Sequence, residues 1–95
     1  MKPSDARRLI HAAGARGEAD VEFTVHAAEE SMPDDGLTAH DVFHVLEYAT
    51  DVVRQPSERE KWKGYGPILA GDAFAVVVLI IEDNRVRVLT VHPPP

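Results

Sequence analysis

Residues 73–92 read "AFAVVVLIIEDNRVRVLTVH": a nearly unbroken apolar run, a two-residue polar break, then an alternating run. The first part is rich in β-branched residues and has no polar position between Ala73 and Ile81, the pattern of a strand covered on both faces. Asp83 and Asn84 supply the residue types that a tight hairpin turn demands. Beyond them Arg85, Arg87, Leu89 and Val91 alternate with Val86, Val88, Thr90 and His92, as in a strand with one solvated face. The two segments predict an antiparallel hairpin.

Upstream, "GYGPILAG" at 64–71 carries a Gly-Pro pair that disfavours a regular central strand. It is preceded by the charged stretch "SEREKWK" and by "DVVRQ", a strand closed by Pro56. Before Thr50 the period changes. In "VFHVLEYA", Val42, Val45, Leu46 and Ala49 share one helical face with Phe43 beside it, and Thr38 and Asp41 stand three apart as a capping box ahead of it. "HAAEESM" suits a short helix stopped by "PDDG", and "VEFTV" alternates like a short strand. Near the start, Ala6, Leu9, Ile10 and Ala13 fall at helical spacing, with Gly14 or Gly17 as the stop. The order is helices, then about four strands. It predicts an α+β fold in which N-terminal helices pack on one face of a roughly four-stranded antiparallel sheet.

A chain of 95 residues holds one core and not two, so a single domain is expected over 1–95, ordered from roughly 4 to 92 with 93–95 a frayed tail. There is no cysteine, which excludes disulfides, a thiolate nucleophile and Cys-ligated zinc. The longest apolar run has nine residues, far below the ~20 of a membrane-spanning helix. The polar start "MKPSDARRLIH" lacks a signal peptide's apolar centre, so a cytoplasmic protein without membrane attachment is expected. Ten Lys and Arg against sixteen Asp and Glu give a formal charge of −6, which counts against a general polyanion binder but permits a local cationic patch.

Three groups of residues have chemical potential. His40 and His44 share a helix face at a spacing that permits two-point metal binding, yet no HExxH and no third ligand accompany them. In "REKWKGYG", Arg59, Lys61 and Lys63 offer cations for phosphate while Trp62 and Tyr65 offer rings for unpaired bases; equally, this is a solvated loop with Trp62 plugging the core. Arg85 and Arg87 point to one side of the last strand, either joining those lysines or only guarding the sheet. His26 opens a helix after a short strand. No phosphate loop, nucleophile elbow or dinucleotide fingerprint is present, and no cofactor is expected.

The Thr-x-His-Ala step at Thr24, His26 and Ala27, then Met32, the Leu-Thr-x-x-Asp-Val step from Leu37 to Val42, and the Val-x-Thr-Val ending together resemble the small bacterial domains of the DUF4258 type, related to the MqsR and BrnT toxins. The resemblance covers roughly Val21 to His92. It implies a RelE-like or barnase-like fold and metal-independent cleavage of messenger RNA, held in check by a cognate antitoxin. Carried over by position, Lys61, Lys63, Tyr65, Arg85, Arg87 and His26 would be catalytic, with Arg59, Trp62 and His92 binding substrate. The expected function is a toxin-like endoribonuclease acting on single-stranded RNA. Where such domains often have an Arg ahead of the Met, this chain has Glu29 and Glu30. That difference, with the acidic total, supports the alternative of a catalytically inactive relative serving as a protein-interaction module.

Overall fold

The structure is a computed structural model and describes residues 1–69 and 73–93. Helix α1 spans Pro3–Arg16 and opens on a proline, where the missing N–H is harmless; Asp5 in its first turn and Arg16 in its last complement the helix dipole. A single 3₁₀ turn leads to β1, Val21–Phe23. A π-helical turn, Ala27–Ser31, then runs into the short α2, Met32–Asp34. Helix α3 spans Ala39–Glu47, and its capping box is complete. The Thr38 side chain accepts the Asp41 N–H at 3.2 Å, and the Asp41 carboxylate accepts the Thr38 N–H at 3.0 Å.

Four strands follow: β2 Asp51–Arg54, β3 Lys61–Pro67, β4 Phe74–Glu82 and β5 Arg85–His92. They form a sheet in the order β1-β5-β4-β3-β2. The architecture is the expected α+β one, with a fifth strand: β1 lies parallel to β5, Val21 beside Val86, so the sheet is mixed and not wholly antiparallel. The hairpin between β4 and β5 turns at Asp83 and Asn84, whose φ values of 54° and 61° are those of the tight hairpin turn that twists with its strands.

One face of the sheet carries the core. Ala6, Ile10 and Ala13 of α1 and Val42, Val45 and Leu46 of α3 pack with Trp62, Val77, Leu79, Val86, Val88 and Val91. Two glycines let the layers close. A Cβ at Gly14 would collide with the backbone of Phe43 and Glu47, and one at Gly66 would lie 2.5 Å from the Val45 carbonyl oxygen. This corrects the expectation that the Gly-Pro pair breaks the strand. Gly66 is there because α3 rests on the sheet at that point, and Pro67 ends β3, where a missing N–H is tolerated.

A second correction concerns β5. The register pairs Val78 with Thr90 but Leu79 with Val88, so Leu89 is an extra residue, a β-bulge. Simple alternation groups Val91 with the arginines and His92 with the core; the bulge exchanges them, burying Val91 and turning Thr90 and His92 to the open face. The expected tail lies, beyond Pro93, outside the described residues, as do residues 70–72. Among the described residues no helix is long and apolar enough to cross a membrane.

Candidate phosphate-binding sheet face

The face turned away from α1 and α3 follows from register. Tyr65, Val76 and His92 form one row across β3, β4 and β5; Lys63, Val78 and Thr90 form the next; Lys61, Ile80 and Arg87 the third, which ends on Glu22 of β1. Arg85 stands opposite Glu82 beyond them, and Asp51 of β2 stands opposite Tyr65. Side chains directly opposite in neighbouring strands share a face. Lys61, Lys63, Tyr65, Arg85, Arg87 and His92 therefore converge on one surface, with Val76, Val78 and Ile80 as its floor. Tyr65 and His92 are two strand spacings apart, about 10 Å.

The charges on this face differ from those of the whole chain. Lys61, Lys63, Arg85 and Arg87 oppose Glu22, Glu82 and Asp51, leaving a slight positive excess against a total of −6. The cations are not equivalent. Arg87 Nε donates to Glu22 at 2.8 Å, which holds the Glu22 carboxyl below its ordinary value and raises the already high Arg87 value further. Arg59 is paired with Glu82. Lys61, Lys63 and Arg85 make no ion pair among the described residues. They are the cations of this face that an incoming anion meets without first displacing a carboxylate.

The Pro93 carbonyl oxygen orients the His92 ring: it lies 3.1 Å from Nδ1 and only accepts, so Nδ1–H donates to it, and in the neutral ring Nε2 is then the nitrogen with the lone pair. The orientation of His92 depends on the bulge, and two hydroxyls from outside the sheet hold that bulge. Thr24 Oγ1 donates to the Leu89 carbonyl at 3.2 Å, and Ser31 Oγ accepts the Val91 N–H at 3.1 Å. Beyond the end of β1, these two side chains take over the partners that a neighbouring strand would have supplied.

Other expected site residues lie elsewhere. Trp62 is 1% exposed, faces the helices and donates its indole N–H to Glu60 at 3.1 Å; it is a core residue and has no surface for a base, which corrects its assignment to substrate binding. The strand period separates it from Lys61 and Lys63 and could have shown this. His26 lies past the end of β1 at the first turn of the π-helical segment, with Nδ1 2.6 Å from Glu30. His40 packs edge-on against Phe43, and His44 Nδ1 donates to the Pro67 carbonyl at 2.8 Å. Among the described residues no three His, Asp or Glu side chains are grouped to hold a metal ion. Phe74, 44% exposed and in the same face as Tyr65, was hidden in the sequence by the apolar run that it begins.

No protein-family model, curated protein or solved structure matches the chain.

Proposed function

We propose that the protein is a metal-independent endoribonuclease of the toxin type, binding single-stranded messenger RNA across the open sheet face. The observation that carries this is the convergence of Lys61, Lys63, Tyr65, Arg87 and His92 over one aliphatic floor. In the cleavage step, His92 Nε2 takes the proton of a ribose 2′-hydroxyl. The freed 2′-oxygen bonds to the adjacent phosphorus, and the bond from phosphorus to the 5′-oxygen breaks. Tyr65 gives its phenolic proton to that leaving oxygen, while Lys63 and Lys61 neutralise the non-bridging oxygens. The products are a 2′,3′-cyclic phosphate and a 5′-hydroxyl, and solvent returns the proton from His92 to Tyr65. The resemblance to DUF4258-type domains supports the same reading, with a cytoplasmic site of action and a cognate antitoxin as partner.

The test is cleavage of a labelled single-stranded RNA in the presence of chelator, together with growth after induced expression. Wild type is expected to cut the RNA and arrest growth. His92→Gln and Tyr65→Phe are each expected to lower the rate by about 10²–10⁴-fold, the range of general acid-base catalysis. Intact RNA and normal growth with folded wild type reject the enzyme. A second reading, a non-catalytic interaction module, draws on the carboxylates in the face: Glu22 and Glu82 already occupy Arg87 and Arg59. It requires intact RNA and a protein partner whose binding Lys61→Ala and Lys63→Ala abolish.

A further inference from the structure

On the helical side of the sheet, across from Lys61 and Lys63, a cleft of about 520 Å³ opens between the C-terminal end of α1 and helix α3. The two helices touch at Gly14, where a Cβ would collide with the Glu47 backbone. Beside that crossing the cleft is lined by His40, Phe43, His44 and Glu47 of α3 and by Gly17 and Glu18 of the 3₁₀ turn Gly17–Ala19. His40, His44 and Glu47 are four and three apart, so they form one stripe along the helix. Their polar atoms are little used. His44 Nδ1 donates to the Pro67 carbonyl at 2.8 Å, so in the neutral ring Nε2 keeps the lone pair. The His40 ring meets Phe43 edge-on, and neither of its nitrogens has a hydrogen bond among the described residues. The carboxylates of Glu18 and Glu47 likewise have no hydrogen bond or ion pair among the described residues. Arg16, also at the rim, is held by Asp20 at 2.7 Å and does not neutralise them.

We propose that His40 and His44 hold a zinc ion in this cleft. Neutral imidazole is a zinc ligand, and residues four apart on a helix have Cβ atoms about 5–6 Å from each other, within reach of one ion. The Pro67 carbonyl does for His44 what an outer partner does for a metal-binding histidine: it takes the Nδ1 proton, fixes the ring and leaves Nε2 for the ion. Among the described residues no three of these side chains meet at one point, so the histidines form a two-point clasp. Water and a carboxylate oxygen turned in from Glu18 or Glu47 take the remaining positions. With no cysteine in the chain the donor set is imidazole nitrogen and carboxylate oxygen, which suits zinc and not a soft ion such as copper(I). An ion held between α3 and the turn after α1 ties the two helices beyond their crossing. It stabilises the helical layer and touches none of the residues proposed for cleavage.

The test is zinc uptake by the intact chain after chelator treatment and dialysis. Equilibrium dialysis against zinc chloride is expected to load one ion per chain. Zinc at about tenfold over its Kd should raise the unfolding midpoint by about 6–11 °C, the shift that a roughly tenfold change in the folding equilibrium gives a domain of this length. His40→Ala and His44→Gln should each remove that rise, measured against the variant's own midpoint without zinc. His40 is exposed, so its replacement leaves the core intact, and Gln at 44 keeps a donor for the Pro67 carbonyl. His26→Ala is the control, because His26 and Glu30 are also four apart on a helical turn, and it should keep the full rise. Folded wild type that takes up no zinc, a rise that survives in His40→Ala, or a rise lost in His26→Ala overturns the proposal. RNA cleavage is assayed in chelator, so the nuclease reading and the zinc site stand or fall separately.

Discussion

Replacing Glu22 by Gln is expected to strengthen RNA binding, the opposite of what most substitutions in a binding face do. Arg87 is held at 2.8 Å by the Glu22 carboxylate, so one carboxylate restrains one cation of the face, whereas Arg85 makes no ion pair among the described residues. On the proposed RNA reading, Lys61, Lys63 and Arg85, which make no ion pair among the described residues, are the cations of this face free to release counterions from RNA in wild type. Each neutralised phosphate adds about −0.7 to the slope of log K against log salt for a single strand, so three cations give about −2.1. Freeing Arg87 adds a fourth contact and takes the slope to about −2.8. Between 50 and 200 mM salt, wild-type affinity should fall about 18-fold and that of Glu22→Gln about 50-fold. At the lower salt concentration the variant should bind more tightly than wild type. Anisotropy with an uncleavable single-stranded oligonucleotide at several potassium chloride concentrations reads both quantities. Weaker binding by the variant, or an unchanged slope, refutes the assignment of Arg87 as a cation masked by Glu22.

Trp62→Ala should destabilise the fold by about 3–5 kcal/mol in denaturant unfolding, as for a fully buried aromatic, while the milder Trp62→Phe should leave RNA affinity unchanged; a selective loss of RNA binding would return Trp62 to the site. Gly66→Ala forces a Cβ to 2.5 Å from the Val45 carbonyl and should cost about 1–3 kcal/mol, whereas Gly64→Ala, with its nearest atom at 3.9 Å, should be tolerated, and equal thermal shifts for the two would deny close helix–sheet contact at Gly66. Thr38→Ala removes half of the capping box and should lower stability by about 1 kcal/mol, measured by urea unfolding. Since Arg87 lowers the folded Glu22 value, that ion pair stabilises the fold above the ordinary carboxylate range, and its contribution disappears as pH falls through the lowered value. Glu22→Gln should therefore flatten the acid limb of stability against pH, and an identical limb in the variant would show that the pair carries no linkage.

Features that depend on neighbours in sequence were legible, and those that depend on distant ones were not. Asp83-Asn84 encodes its own turn because both residues tolerate positive φ, and Thr38 with Asp41 encodes its own cap. The parallel pairing of Val21 with Val86 has no local signature, so the fifth strand could not be placed. β3 was obscured because Gly66 and Pro67 read as breakers, while the reason for the glycine, α3 pressing on the sheet, is a tertiary contact. The site was legible to the extent that period two holds: Lys61, Lys63 and Tyr65 fall together. It failed at Leu89, an ordinary strand residue whose bulge is imposed by Thr24 and Ser31, more than fifty positions away in the chain.

That dependence links the π-helical turn to the chemistry. Ser31 Oγ both donates to the Ala27 carbonyl at 3.3 Å and accepts the Val91 N–H, so the irregular helix and the strand end are joined through one hydroxyl. Glu29 and Glu30, which depart from the pattern that the sequence resembles, belong to the same turn and are exposed, while its buried side packs toward the core through Ala27. The segment's contribution to the face is thus register, delivered by Ser31 and Thr24, and not charge. Two added anions there do not by themselves dismantle a phosphate site built on β3 and β5. At physiological salt, charges beyond roughly 8 Å are largely screened, so the total of −6 does not by itself argue against the proposed binding of RNA at a face with its own free cations. On that proposal the acidic remainder would act on orientation, repelling a polyanion from the other surfaces and leaving the sheet as its point of contact.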